Sequence, residues 1–190
     1  MTMTPAGPPS APRLVLIGGG ARSGKSHWAL ARGMALGARR LFIATAERSD
    51  DEMRDRIDRH RAERGGTFDT VEEPLALPQA IAADRDHDVI VVDCLTIWIS
   101  NLLVGGASPD QVRARVDALA DVVRGRRAHV VLVSNEVGMG LVPETPLGRV
   151  FRDVAGAAHQ RLAPLADELY LAVTGVVLRL RPAPVEVVTA

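Results

Sequence analysis

The stretch GGGARSGKSHW, residues 18–28, decides the fold. Residues 19–26 fit the pattern G-x-x-x-x-G-K-S, with an apolar run entering at 13–17 and the helical pattern HWALARGMAL leaving. A strand that turns through glycines into a helix aims several main-chain N–H groups at one point, and the helix N-terminus adds partial positive charge there. That arrangement suits a phosphate group. Gly19, Gly20, Ala21, Arg22, Ser23 and Gly24 would form the cradle, Lys25 would reach the outer phosphates, and Ser26 would offer a hydroxyl to Mg²⁺. Lys25 is also the only lysine in the chain; the rest of the 23 Lys+Arg residues are arginine. An ammonium tip with three donors fits a narrow turn, whereas a planar guanidinium fork is broader and binds through fixed geometry. A glycine-rich turn that binds nothing is the alternative, and the lone lysine inside the pattern argues against it.

Working outward, runs at 13–17, 41–46, 89–93, 129–134 and 168–174 are almost continuously apolar. Parallel strands covered on both faces read this way. The run at 176–181 follows Gly175 so closely that it pairs antiparallel at an edge. Helical patterns fall at 24–36, 50–64, 75–83, 96–103, 109–124 and 147–166. The alternation predicts a three-layer α/β fold with a mostly parallel central sheet and an antiparallel edge strand, with ligands at the carboxyl ends of the strands. One catalytic domain is expected over 13–190. Residues 1–12, MTMTPAGPPSAP, read as a floppy extension with neither the basic start nor the apolar centre of a signal peptide.

Composition narrows the function. The chain is 47% hydrophobic and 24% charged, a globular profile, and its 23 acidic residues balance its 23 basic ones. No basic field or aromatic-lined basic stripe points to nucleic acid. The longest apolar run, 89–104, is interrupted by Asp93 and falls short of the ~20 residues of a membrane span. A single cysteine, Cys94, excludes an internal disulfide framework and fits a reducing cytoplasm.

A nucleotide cradle of this kind works with a carboxylate near the metal, and Asp93, delivered to the sheet edge by VIVVD, is the candidate. Its competing role is to cap the helix expected from Thr96; the two roles can coexist. The second helix starts clearly. Ser49 and Glu52 match a capping box, and Asp50 and Asp51 put negative charge on the positive end of the dipole. Met53, Ile57 and His60 then share one face.

GGARSGKS, IATAERSDDEMRDRIDRHR, VVDCLT and SNEVGMGLVPETPLGRVFRDVAGAAHQRLA occur in that order. Together they resemble the bifunctional adenosylcobinamide kinase / adenosylcobinamide-phosphate guanylyltransferase family of cobalamin biosynthesis, over residues 14–180. The resemblance implies a RecA-like P-loop fold and a cytoplasmic homotrimer. It also implies two reactions. ATP or GTP phosphorylates the aminopropanol hydroxyl of adenosylcobinamide; GMP then moves from GTP onto that phosphate through a guanylyl-histidine, releasing pyrophosphate. By resemblance, Ala44, Thr45 and Ala46 line the nucleotide site, and Arg61, Arg64, Glu72 and Asp93 complete it. Some members carry two adjacent histidines where this chain has Arg59 and His60, which leaves His60 as the nucleophile in this segment.

The chemistry of His60 agrees. Arg56 and Arg64 lie one turn away on either side, and Arg61 is adjacent. Nearby positive charge disfavours imidazolium, so the ring stays neutral and nucleophilic near pH 7. The alternative is a half-buried histidine packing beside Met53 and Ile57. For the other histidines structural roles are expected: His27 facing the sheet–helix interface, His87 in a solvated acidic turn, His129 opening a buried strand, His159 in a late helix. The loop at 134–153 lies on the cradle's edge, with Glu136, Arg149 and Arg152 available for a polar corrinoid tail, although a plain crossover would look similar. Two rivals remain open at this point: a P-loop small-molecule kinase that does not use His60, and a non-catalytic nucleotide switch.

Overall fold

The structure, a computed structural model, describes residues 11–46 and 65–188. The expected helix at 50–64 therefore lies outside the described residues, and so do His60, Arg61 and Arg64. Eight strands form one sheet: β1 (Leu14–Gly19), β2 (Arg40–Ala44), β3 (Asp69–Glu72), β4 (Val89–Asp93), β5 (His129–Asn135), β6 (Glu168–Val173), β7 (Val176–Arg181) and β8 (Glu186–Val188). Their order is β3-β2-β4-β5-β1-β6-β7-β8. Pairing is parallel from β3 through β6 and antiparallel at β6–β7 and β7–β8. Among the described residues the helices are α1 (Lys25–Leu36), α2 (Leu77–Ala83), α3 (Leu95–Val104), α4 (Pro109–Arg124) and α5 (Pro146–Leu162).

The strands alternate their side chains between two cores. Leu14, Leu16, Ile90, Val92, Val130 and Leu132 face α2 to α5, whereas Val15, Ile17, Val91, Val131 and Val133 face α1. All of these are at most 3% exposed. Two-sided burial makes the strand sequences continuous rather than alternating. It also puts every connection that follows a parallel strand at one sheet edge. With one tyrosine, three phenylalanines and two tryptophans in the chain, the filling is aliphatic.

Two strands lie outside the sequence expectations. β3, DTVE, is exposed at all four positions and carries no apolar run. β8 is three residues long and follows Pro182 and Pro184. The antiparallel edge therefore consists of two strands, β7 and β8. The β6–β7 hairpin turns at Thr174 (φ 49°) and Gly175 (φ 80°), the left-handed pair that a two-residue turn requires. Helix ends shift for local reasons. The expected helix from Leu75 starts at Leu77, because the Glu73 carboxylate takes the Leu75 and Ala76 N–H groups at 3.0 and 2.7 Å. α5 gives way to a short 3₁₀ turn at Ala163–Leu165, where Pro164 lacks the N–H that an α-helix needs. α4 opens with a reciprocal Ser108–Gln111 capping box.

The helix that leaves the glycine turn is clamped from the far end of the sheet. Glu168, at the start of β6 and 5% exposed, accepts two bonds from Arg32 on α1 (2.5 and 2.9 Å). It also accepts one from Arg13 ahead of β1 (2.9 Å) and one from the Tyr170 hydroxyl (2.9 Å). Trp28 packs on Tyr170 with ring centroids 4.1 Å apart. His27, expected in this interface, is exposed instead: Lys25, Trp28, Ala29 and Gly33 make the buried face of α1, and His27 lies off it. Burial alone would raise the Glu168 pKa, but the Arg32, Arg13 and Tyr170 bonds pull it down to about 2. A carboxyl held below its ordinary value stabilises the fold fully above pH 4.5 and loses that contribution as pH falls toward 2. Glu168→Gln should cost roughly 3 kcal/mol at pH 7 by urea denaturation. The gap between variant and wild type should shrink as pH drops from 4.5 toward 2.

Candidate active site

The turn from β1 into α1 has the form the sequence predicts. Gly24 is the N-cap of α1 at φ 87°, and Arg22 also adopts a positive φ, 57°. Left-handed residues interleaved with right-handed ones turn successive N–H groups toward one concavity, which is an anion site. A Cβ on Gly19 would run into the Ala172 carbonyl and approach Ser23 Oγ to 2.8 Å, so only glycine fits where β1 leaves the sheet beside β6. Lys25 is 4% exposed, and its Nζ donates to the Gly20 carbonyl at 3.0 Å, folding the ammonium back under the turn. Ser23 Oγ is buried with no hydrogen-bond partner. Leaving such a group unbonded costs about 1–3 kcal/mol. A phosphate oxygen would supply the missing bond.

Asp93 ends β4, which β5 separates from β1, and is half-buried. It caps no helix. α3 starts at Leu95, one residue earlier than expected, with Cys94 as N-cap and no side-chain capping bond. Ala44 sits between Glu72 and Asp93 in register, so β3, β2 and β4 present these three residues at one level of the edge. Glu72 is exposed there. Thr45 is fully buried; its hydroxyl accepts from Cys94 N–H and donates to the Cys94 carbonyl, both at 2.8 Å. Its own N–H bonds to the Asp93 carbonyl at 3.2 Å. Thr45 thus fixes the backbone that carries Asp93. Ala46 follows it, half-buried.

Residues that the sequence reading passed over complete this frame. Thr96 Oγ1 accepts from the Asn135 main chain (3.2 Å) and side chain (2.9 Å), tying α3 to the end of β5. Asn101 Nδ2 donates to the Thr45 and Pro74 carbonyls at 2.8 and 3.2 Å. Their one visible signal is polarity inside apolar runs. Burial pushes the Cys94 thiol up, Asp93 adds to that, and Lys25 opposes it, so the thiol stays protonated and both charges act at this spot. The other histidines differ from one another. His87 bridges Asp84 (2.6 Å) and Asp69 (3.0 Å) instead of lying in solvent. Burial pulls its pKa down, but the two carboxylates outweigh that and raise it. His129 Nδ1 accepts the Arg13 N–H at 3.0 Å.

The donor set suits a hard cation held mainly by a substrate. Ser26 and Asp93 offer oxygen, and no cluster of three His, Cys, Asp or Glu exists among the described residues. Mg²⁺ is commonly held by one or two such groups plus phosphates rather than by a protein cage, so these residues fit it. Of the corrinoid candidates, Arg149 bonds the Pro143 and Glu144 carbonyls of its own loop at 2.9 and 2.7 Å, and Arg152 pairs with Asp153. The loop between β5 and α5 instead exposes Met139 (81%) and Leu141 (96%). No helix among the described residues is long and apolar enough to cross a membrane.

Residues 15–180 match the sequence model of the family described as cobinamide kinase / cobinamide phosphate guanyltransferase. The bifunctional adenosylcobalamin biosynthesis protein CobU of Escherichia coli (strain K12) is 39% identical over 181 residues, covering 88% of this chain and 99% of that protein. The bifunctional adenosylcobalamin biosynthesis protein CobP of Pseudomonas aeruginosa PAO1 is 38% identical over 170 residues, covering 89% and 98%. A prototypical ATPase from the type III secretion system of pathogenic bacteria superposes with a TM-score of 0.53 at 11% identity, over 85% of this chain and 51% of that one. That likeness is one of fold, and it agrees with the P-loop, RecA-like architecture.

Thr45→Val keeps the shape of the side chain but leaves the buried Cys94 N–H without its acceptor. The variant should lose about 1–3 kcal/mol in thermal or chemical denaturation. It should also weaken Mg-dependent nucleotide binding measured by calorimetry, because the backbone of Asp93 is no longer fixed.

Proposed function

The chain belongs to the cobinamide kinase / cobinamide phosphate guanyltransferase family, and we propose how its residues divide the two reactions. The observation that carries this reading is the cradle itself: a buried lysine and a buried, unpartnered serine hydroxyl at a glycine turn that passes through left-handed Arg22 and Gly24 into α1. Main-chain amides over 20–26, Ser23 Oγ and Lys25 Nζ bind the triphosphate of GTP or ATP. Ser26 and Asp93 would hold Mg²⁺, which neutralises charge on the phosphate oxygens when bound. Ala44 to Ala46 and Glu72 border the same edge, where the nucleotide lies.

In the kinase step the aminopropanol hydroxyl of adenosylcobinamide attacks the γ-phosphorus, the bond to the β-phosphate oxygen breaks, and the nucleoside diphosphate leaves. In the transferase step an imidazole nitrogen of His60 attacks the α-phosphorus of GTP and pyrophosphate leaves. Arg61 and Arg64 take up the developing charge on it. An oxygen of the corrinoid phosphate then attacks the same phosphorus, the N–P bond breaks, and adenosylcobinamide-GDP forms. One cradle serves both steps because both need the triphosphate charge screened. The exposed apolar loop after β5 supplies contact area for the corrin ring. Family likeness also supports a homotrimer working in the cytoplasm.

Purified protein incubated with α-labelled GTP should retain label after denaturation, as an adduct that acid destroys and base does not. His60→Ala should lose the label yet still phosphorylate adenosylcobinamide. Lys25→Arg should slow both reactions about 100-fold, as expected for removing one well-placed donor from a charged transition state. A wild-type protein that hydrolyses GTP slowly, takes no label and phosphorylates no corrinoid would contradict the reading.

A further inference from the structure

The kinase step releases a proton from the corrinoid hydroxyl, and none of the groups assigned above receives it. Among the described residues, the sheet order places a carboxylate without a role in either step beside the cradle. β5 lies between β4, which carries Asp93, and β1, which carries the glycine turn. Adjacent strands are about 4.8 Å apart, so the residue just past β5 stands one strand spacing from either element. That residue is Glu136. Its N–H donates to the Gly19 carbonyl at 2.9 Å, fixing its main chain to the first residue of the cradle motif. Among the described residues, Glu72 lies at the far edge on β3, three strands from β1's neighbour β5, and Asp93 is engaged in the proposed metal role.

The side chain is held rather than loose. Glu136 Oε1 accepts the Gly138 N–H at 2.6 Å, and Oε2 faces His159 Nδ1 at 3.7 Å. His159, on α5, is fixed at its other nitrogen by Ser134 Oγ at 2.6 Å, and Ser134 is 1% exposed. Burial holds His159 toward its neutral form, with Glu136 opposing only in part. A neutral ring with the Ser134 hydroxyl donating to Nε2 carries its proton on Nδ1, directed at the carboxylate. The Glu136 side chain keeps 27% of its surface exposed, and its main chain is tied to Gly19 of the cradle, so a substrate seated at this edge is within its reach.

We propose that Glu136 is the general base of the kinase step, with His159 and Ser134 positioning its carboxylate. Resting on the kinase reading above, it assigns the balance of the step. The hydroxyl oxygen forms its bond to the γ-phosphorus as its proton passes to a Glu136 oxygen. The γ-phosphorus–oxygen bond breaks, the leaving diphosphate keeps the electron pair, and Glu136 returns the proton to water. His159 stays neutral throughout and acts only on the orientation of Glu136.

The test is steady-state phosphorylation of adenosylcobinamide by the full chain with Mg·GTP. Glu136→Gln should lower kcat about 100-fold or more, the typical contribution of a positioned base, with KM for corrinoid and nucleotide near wild type. Mg·GTP should raise the Tm of the variant as it does that of the wild type, showing that the fold and cradle are intact. His159→Ala should lower kcat less, and the double variant should be no slower than Glu136→Gln alone. A Glu136→Gln enzyme within threefold of wild-type kcat, or one whose defect lies in KM, overturns the base; multiplicative losses in the double variant overturn the positioning role of His159. A wild type without corrinoid kinase activity would instead sink the function proposed above.

Discussion

Burying the chain's one lysine side chain beneath the glycine turn is the constraint on which the rest of the structure depends. A charge taken out of water costs several kcal/mol unless close partners compensate. Lys25 meets that cost in part with the Gly20 carbonyl at 3.0 Å. The same turn buries the Ser23 hydroxyl without a partner, which a stability-only fold would avoid. A bound phosphate would give the Ser23 hydroxyl its partner and add a further one for the ammonium. The unpartnered Ser23 hydroxyl beside the buried ammonium is what supports the proposal that a phosphate binds here.

Everything around the turn holds it in place. Glu168 anchors α1 to the sheet from the far side through Arg32, so the helix cannot slide and open the cradle. Gly19 permits the close approach of β1 to Ala172. On the other flank, Thr45, Cys94, Thr96 and Asn135 link the ends of β2, β4 and β5 with buried and partly buried hydrogen bonds. A fully bonded buried network resists rearrangement more than an apolar contact does, because any partial opening orphans a polar group. Sheet order then does the rest: it brings Asp93, Glu136 and the glycine turn, far apart in sequence, to neighbouring strand ends.

Much of this was legible in the residues. The G-x-x-x-x-G-K-S pattern located the cradle, and continuous apolar runs located the strands that bury both faces. The short strands escaped for a physical reason: β3 is fully exposed and β8 is short and proline-flanked, so neither needs an apolar pattern. Helix phase, which a list of residues does not display, put Trp28 rather than His27 against the sheet. The sequence left Asp93 between a cap and a metal ligand, and the geometry at Cys94 removes the cap. The polar frame around Thr45 was missed because hydrogen bonds between strand ends depend on register and leave no periodic trace. Ser134 and His159, separated by 25 positions, meet only through the packing of α5 on β5.

A crystal structure with Mg²⁺ and a non-hydrolysable GTP analogue tests the central claim most directly. Ser23 Oγ and Lys25 Nζ should each lie within hydrogen-bond distance of phosphate oxygens, with the Lys25–Gly20 bond lengthened or broken. A triphosphate bound elsewhere on the chain, with Ser23 Oγ still unpartnered under the turn, would contradict it.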